Sequence, residues 1–119
     1  MNQMPILDPT QIQRLHEWGG PELQRKMIDL FLAHSGMRVE QIRDGLSGQD
    51  LKMAETGAHT LKSSAGNVGA RRLQMLASDA ESIAEAGRLQ ELQELFPLLE
   101  KEFQSACAAL RIVLEELPE

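Results

Sequence analysis

The sequence predicts an all-α protein, an antiparallel up-down four-helix bundle with a short additional helix at its N-terminal end. Three observations carry this. Apolar positions recur every three or four residues rather than every two, Gly and Pro fall between the periodic segments, and no alternating stretch reads as a strand. The residues available for a core are Leu, Ile, Ala and Met, with only three Phe, one Trp and no Tyr, a palette that favours helices. At 119 residues the chain has room for one core, so a single domain over 1–119 is expected.

Residues 1–7 read as a flexible lead-in. Asp8 suits an N-cap with Pro9 in the first turn, which predicts a helix over 8–18 stopped by Gly19-Gly20. Pro21 opens a long segment over 21–47, with Leu23, Met27, Leu30, Phe31, His34 or Ser35, Ile42 and Leu46 as its apolar stripe. Asp50 caps the next helix, over 50–67, which carries Ala54, Ala58, Leu61 and Ala65 on one face. A further helix over 70–86 turns Leu73, Leu76, Ala77, Ala80 and Ile83 inward, and Gly87 closes it. The last, over 89–117, uses Leu98, Leu99, Phe103, Ala106, Leu110, Val113 and Leu114. Pro97 lies within it and predicts a kink or a late start, because proline removes a hydrogen bond and clashes with the preceding turn. Short connections make successive long helices antiparallel.

Charge and cysteine usage exclude several classes of function. A net charge of -6 argues against a nucleic-acid partner, which needs a basic face. The lone Cys107 has no internal disulfide partner, no apolar run reaches membrane-spanning length, and no signal-peptide pattern opens the chain. The expectation is a cytoplasmic protein that meets no membrane. His16 and His34 lack metal-ligand spacing with each other or with His59, so neither a metal site nor a cofactor of its own is expected. Gly66-Asn67-Val68-Gly69 resembles a phosphate loop only superficially, since no strand precedes it, and a helix stop explains it better.

The stretch GAHTLKSSAGNVGA, residues 57–70, concentrates the chemistry. On a wheel of about 100° per residue starting at Leu51, the apolar set centres near ~310° and His59 falls near ~80°, so His59 faces solvent. Its neighbours are short. Ser63 and Gly66 leave room for a partner surface to approach, and Lys62, one turn away, can swing its ammonium toward an arriving charge. An ordinary imidazole titrates near pH ~6.5 and is a competent nitrogen nucleophile at neutral pH without a separate base. Phosphoryl transfer wants little more than a nucleophile, a cation and hydrogen-bond donors for the spreading negative charge. Lys62 and Ser63 supply one of each. Between Asp50 and Gln74 four basic residues stand against two acidic ones, a local surplus inside an acidic chain. A lone surface histidine is ordinarily only that; the surrounding pattern is what singles out His59.

The run His59-Thr60-Leu61-Lys62-Ser63-Ser64, followed by Asn67-Val68-Gly69-Ala70, resembles the signature of histidine-containing phosphotransfer (HPt) domains of bacterial multistep phosphorelays. The similarity extends to Leu7-Asp8, Gly20, Leu30-Phe31, Gly48 with Asp50, and Gly87, and covers nearly the whole chain. It implies that His59 carries a phosphoryl group between the aspartates of receiver domains, of a hybrid sensor kinase or of a response regulator, and that Lys62 stabilises that group. It also implies that Mg²⁺ sits on the receiver and that an apolar patch beside the histidine docks it, with Ile12, Leu15, Leu23 and Met27 as candidates that equally suit the core, and Gly66 keeping the approach lean. Ser63 departs from the glycine often found there, and is read as a hydrogen-bond donor to the phosphoryl group. A monomeric phosphocarrier is expected, because the bundle closes its own core, and one without autokinase activity, because no nucleotide motif is present. The alternative is a helical module that binds a regulator without transfer. A histidine-kinase dimerisation domain fits less well, since Thr60 stands where those usually have an acidic residue.

Overall fold

The computed structural model describes residues 4–118, and its regular structure is four helices: α1 (Pro9–Ser47), α2 (Leu51–Asn67), α3 (Arg71–Glu85) and α4 (Leu89–Glu116). α1 contains both of the predicted N-terminal segments. Helical geometry breaks at Gly19 (φ -158°, ψ 15°) and Gly20 (φ 68°, ψ -166°), and resumes at Pro21. The left-handed Gly20 is a conformation glycine reaches at least cost, and the fixed φ of proline suits the first turn after it. Asp8 Oδ1 accepts the Thr10 N–H at 2.9 Å and Asp50 Oδ1 accepts the Met53 N–H at 3.0 Å. Each cap satisfies an otherwise orphaned donor and contributes about 1 kcal/mol.

The short helix before the kink is fastened to the turn between α2 and α3. The Asp8 N–H donates to the Gly69 carbonyl at 2.7 Å, Arg71 donates to Asp8 Oδ2 at 3.0 Å, and Gln11 Nε2 donates to the Asn67 carbonyl at 3.1 Å. Gly69 has φ 77°, and a Cβ there would lie 3.0 Å from the Asp8 carbonyl oxygen. Buried Gln24 donates to the Ile12 carbonyl at 3.0 Å and so ties the two halves of α1 across the break. Ile6 and Leu7 pack half-buried against the core. The expected flexible lead-in therefore does not extend over these two residues, and Met1 to Gln3 lie outside the described residues.

α2 packs against α1 and α3, and α4 closes the bundle against α3 and α1. The α2 face is as read from the sequence: Ala54, Ala58, Leu61 and Ala65 are fully buried. The α1 stripe is rotated from the expected one. Ile28, Phe31, Ser35, Val39 and Ile42 turn inward, while Leu30 and His34 are exposed and Leu23, Met27 and Leu46 sit at the edge. Close backbone approach sets that rotation. A Cβ on Gly45 would lie 2.8 Å from the Ala54 nitrogen, and one on Gly57 would lie 3.0 Å from the Arg38 carbonyl oxygen. These glycines, invisible to a hydropathy count, decide which side of α1 meets α2.

α4 starts at Leu89 and runs through Pro97 as one helix, so the late start does not occur. Pro97 is exposed, where water can satisfy the carbonyl deprived of its helical donor. Leu92, Phe96 and Leu99 face inward there, and Leu98, expected inside, is exposed. Cys107 is buried, and burial pushes its thiol above the ordinary value.

The glycines give a test of opposite signs. Gly45→Ala must displace the α2 backbone and is expected to destabilise by about 1–3 kcal/mol. Gly36→Ala, whose Cβ would meet only Phe103 at 4.0 Å, is expected to stabilise by about 0.5–1 kcal/mol through helix propensity. Urea unfolding of the two variants against the wild type checks both.

Candidate functional site

The site lies where α2 and α3 run side by side. Both helices present small residues to the core, Ala54, Ala58 and Ala65 from α2 and Ala77, Ala80 and Ala84 from α3. Small contact residues bring helix axes together. Gly66 faces the Gln74 side chain across the turn. Counting seven residues outward from each of these sets His59 opposite Glu81.

Glu81 binds two residues with one carboxylate. Its Oε2 is 2.6 Å from His59 Nδ1, and its Oε1 accepts from Lys62 Nζ at 2.6 Å. The Lys62 ammonium holds the Glu81 carboxyl below its ordinary value, with the bond to His59 adding to the effect. An ionised carboxylate only accepts, so Nδ1 is the donor of this pair, and in a neutral ring the lone pair falls to Nε2. The His59 side chain is 62% exposed, against 18% for Glu81. The arrangement is an exposed imidazole bonded through Nδ1 to a less exposed carboxylate.

Lys62 stands beside His59 as the helical spacing requires, 32% exposed and within reach of a group arriving at the ring. Ser63 is exposed one turn beyond His59. The local surplus of positive charge does not survive folding. Lys52 pairs with Glu55 at 3.4 Å, Arg71 with Asp8 at 3.0 Å and Arg72 with Glu102 at 3.4 Å, and Lys62 is held by Glu81. Arg71 keeps the Asp8 carboxyl below its ordinary value.

The docking candidates separate. Leu15 is 3% exposed and offers no surface, a correction to its expected role: it faces inward from the helix that is fastened to the α2–α3 turn. Gly66 is half-buried with its open side turned to Gln74 rather than to an approaching partner. Ile12 and Leu23 are half-buried, and a Cβ on Gly19 would collide with Leu23 Cβ at 2.6 Å. Met27 lines a groove between α1 and α2 with Leu30, Phe31, His34, Ser64 and Asn67. Leu30, assigned to the core by periodicity, is 44% exposed at its rim. Among the described residues no group of three or more His, Cys, Asp or Glu could hold a metal ion, and no helix is long and apolar enough to cross a membrane.

A helical bundle that presents one exposed, carboxylate-anchored histidine with a lysine beside it is the form of a histidine phosphotransfer domain. The chain belongs to the Hpt domain family, whose model matches residues 26–117. The crystal structure of histidine-containing phosphotransfer protein B (HptB) from Pseudomonas aeruginosa PAO1 matches with a TM-score of 0.89, over 98% of this chain and 100% of that one. At 23% identity that is a likeness of fold. It takes in the short helix before the kink, which the family model leaves out. A search of curated proteins finds no significant match.

Glu81 escaped the sequence reading because it lies 22 residues from His59 on the next helix. The signal that finds it is the hairpin register through Gly66 and Gln74. Its depressed carboxyl value makes stability depend on pH. The contribution is complete above the ordinary value of 4.5 and is lost as pH falls through the lowered one. Glu81→Gln is therefore expected to cost about 1 kcal/mol at pH 7, as for a partly screened pair. The difference from wild type should close well below pH ~4 in denaturant titrations run across pH.

Proposed function

We propose that the protein is a phosphocarrier of a His-Asp phosphorelay, in which His59 accepts a phosphoryl group from the aspartate of one receiver domain and passes it to another. The observation that carries this is the exposed His59 ring with its Nδ1 2.6 Å from Glu81 Oε2, an arrangement that in a neutral ring puts the lone pair on Nε2. Membership of the Hpt domain family supports the same reading.

Lys62 and Ser63 act on the arriving group. The ammonium of Lys62 can share itself between Glu81 and the phosphoryl oxygens, and the Ser63 hydroxyl can donate to one of them. The receiver supplies Mg²⁺ and the acidic residues that hold it, which matches a site built here from one carboxylate and one ammonium. The receiver rests on the groove between α1 and α2, where Met27 and the exposed Leu30 provide apolar surface beside the α2 face that bears His59.

The test is to incubate the protein with a phosphorylated receiver domain and follow the label on wild type and on His59→Gln. The expected result is an acid-labile, base-stable phosphoramidate on the wild type and none on the variant. Folded wild type that takes no label from any receiver but binds one would replace this reading with that of a non-transferring module.

A further inference from the structure

Glu81 Oε2 faces, at Nδ1 of His59, the position of a proton that the transfer chemistry uses twice. When Nε2 attacks phosphorus, the N–P bond forms as the P–O bond to the receiver's aspartate breaks, and the electron pair returns to that carboxylate. The Nδ1 proton stays where it was. The product ring is a phosphoimidazolium, positively charged, with its N–H facing Glu81 Oε2 across 2.6 Å.

In the onward step the N–P bond breaks and its electron pair returns to Nε2. If Nδ1 still carries its proton, the leaving group is neutral imidazole. If the proton has gone, the leaving group is an imidazolate anion, a far stronger base and a far poorer leaving group. An exposed phosphoimidazole without a partner at Nδ1 loses much of its donor strength as pH rises. A carboxylate bonded to Nδ1 opposes that loss, since an opposite charge at hydrogen-bond distance favours the protonated form.

We propose that Glu81 is a positioning residue that keeps the Nδ1 proton on His59 before and after phosphorylation, so that phospho-His59 remains a ready donor at neutral and mildly alkaline pH. This rests on the phosphocarrier reading above. Lys62 tunes it by competing for the same carboxylate through Oε1 at 2.6 Å. The other charged groups lining the recess around the ring are Lys52 and Glu55, which pair with each other at 3.4 Å, whereas Glu81 Oε2 meets the ring itself at 2.6 Å.

The experiment phosphorylates the full chain with phosphoramidate, a small-molecule donor that needs no receiver. The phosphohistidine is then titrated by ³¹P and ¹⁵N NMR in the wild type and in Glu81→Gln, which keeps the size of the side chain and removes its charge. The pH at which the phosphorylated ring loses its proton is expected to fall by about one unit in the variant, a tenfold change in the protonation equilibrium. Transfer to a Mg²⁺-loaded receiver at pH ~8 is expected to slow about tenfold and to recover toward pH ~6. Lys62→Gln, which frees the carboxylate and removes a neighbouring cation, is expected to move the midpoint the other way. A labelled wild type whose midpoint neither variant moves overturns the role of Glu81 alone. A folded wild type that phosphoramidate does not label at His59 overturns the phosphocarrier reading itself.

Discussion

The bridge from Glu81 to His59 and Lys62 joins the packing of the bundle to its chemistry. There α2 and α3 run side by side with alanines turned to the core, Ala54, Ala58 and Ala65 from one and Ala77, Ala80 and Ala84 from the other. Larger residues at those positions would move the helices apart, and a glutamate would no longer reach two partners at 2.6 Å each. The turn between them, with left-handed Gly69 clamped under Asp8, fixes the register that brings residue 81 opposite residue 59. Local backbone geometry at one end of the hairpin thus brings Glu81 Oε2 to His59 Nδ1 near its middle.

The same network shapes what the site accepts. Every basic residue that the sequence concentrates between Asp50 and Gln74 is matched to a carboxylate in the fold. On the phosphocarrier reading, a phosphoryl group is taken from a partner that brings its own Mg²⁺ and holds the group against Nε2. Lys62 then moves from a shared carboxylate toward a stronger anion. His59, Lys62 and Glu81 come from two helices of one hairpin, which on that reading keeps the conformational cost of the reaction low.

Much of the fold was legible because it depends on local signals. Asp8 and Asp50 cap, Gly20, Gly69 and Gly87 take left-handed conformations, and Ala54 to Ala65 spell one buried face. His59 was legible because a helical wheel around a well-defined apolar stripe places it outside. What failed depends on contacts between elements. The α1 stripe turned so that Gly45 could meet α2, which moved Leu30 outward and Ile28 inward. Leu15, which the sequence left open between docking surface and core, turns inward from a helix fastened to the α2–α3 turn. Glu81 had no pattern of its own in the sequence, and its meaning lies in hairpin register.

The measurement that bears most directly on the account is the position of the phosphoryl group on the ring, read from ³¹P–¹⁵N coupling in protein labelled with ¹⁵N-histidine. A proton held on Nδ1 by Glu81 predicts attachment at Nε2 of His59. Attachment at Nδ1, or at His16 or His34, would contradict it.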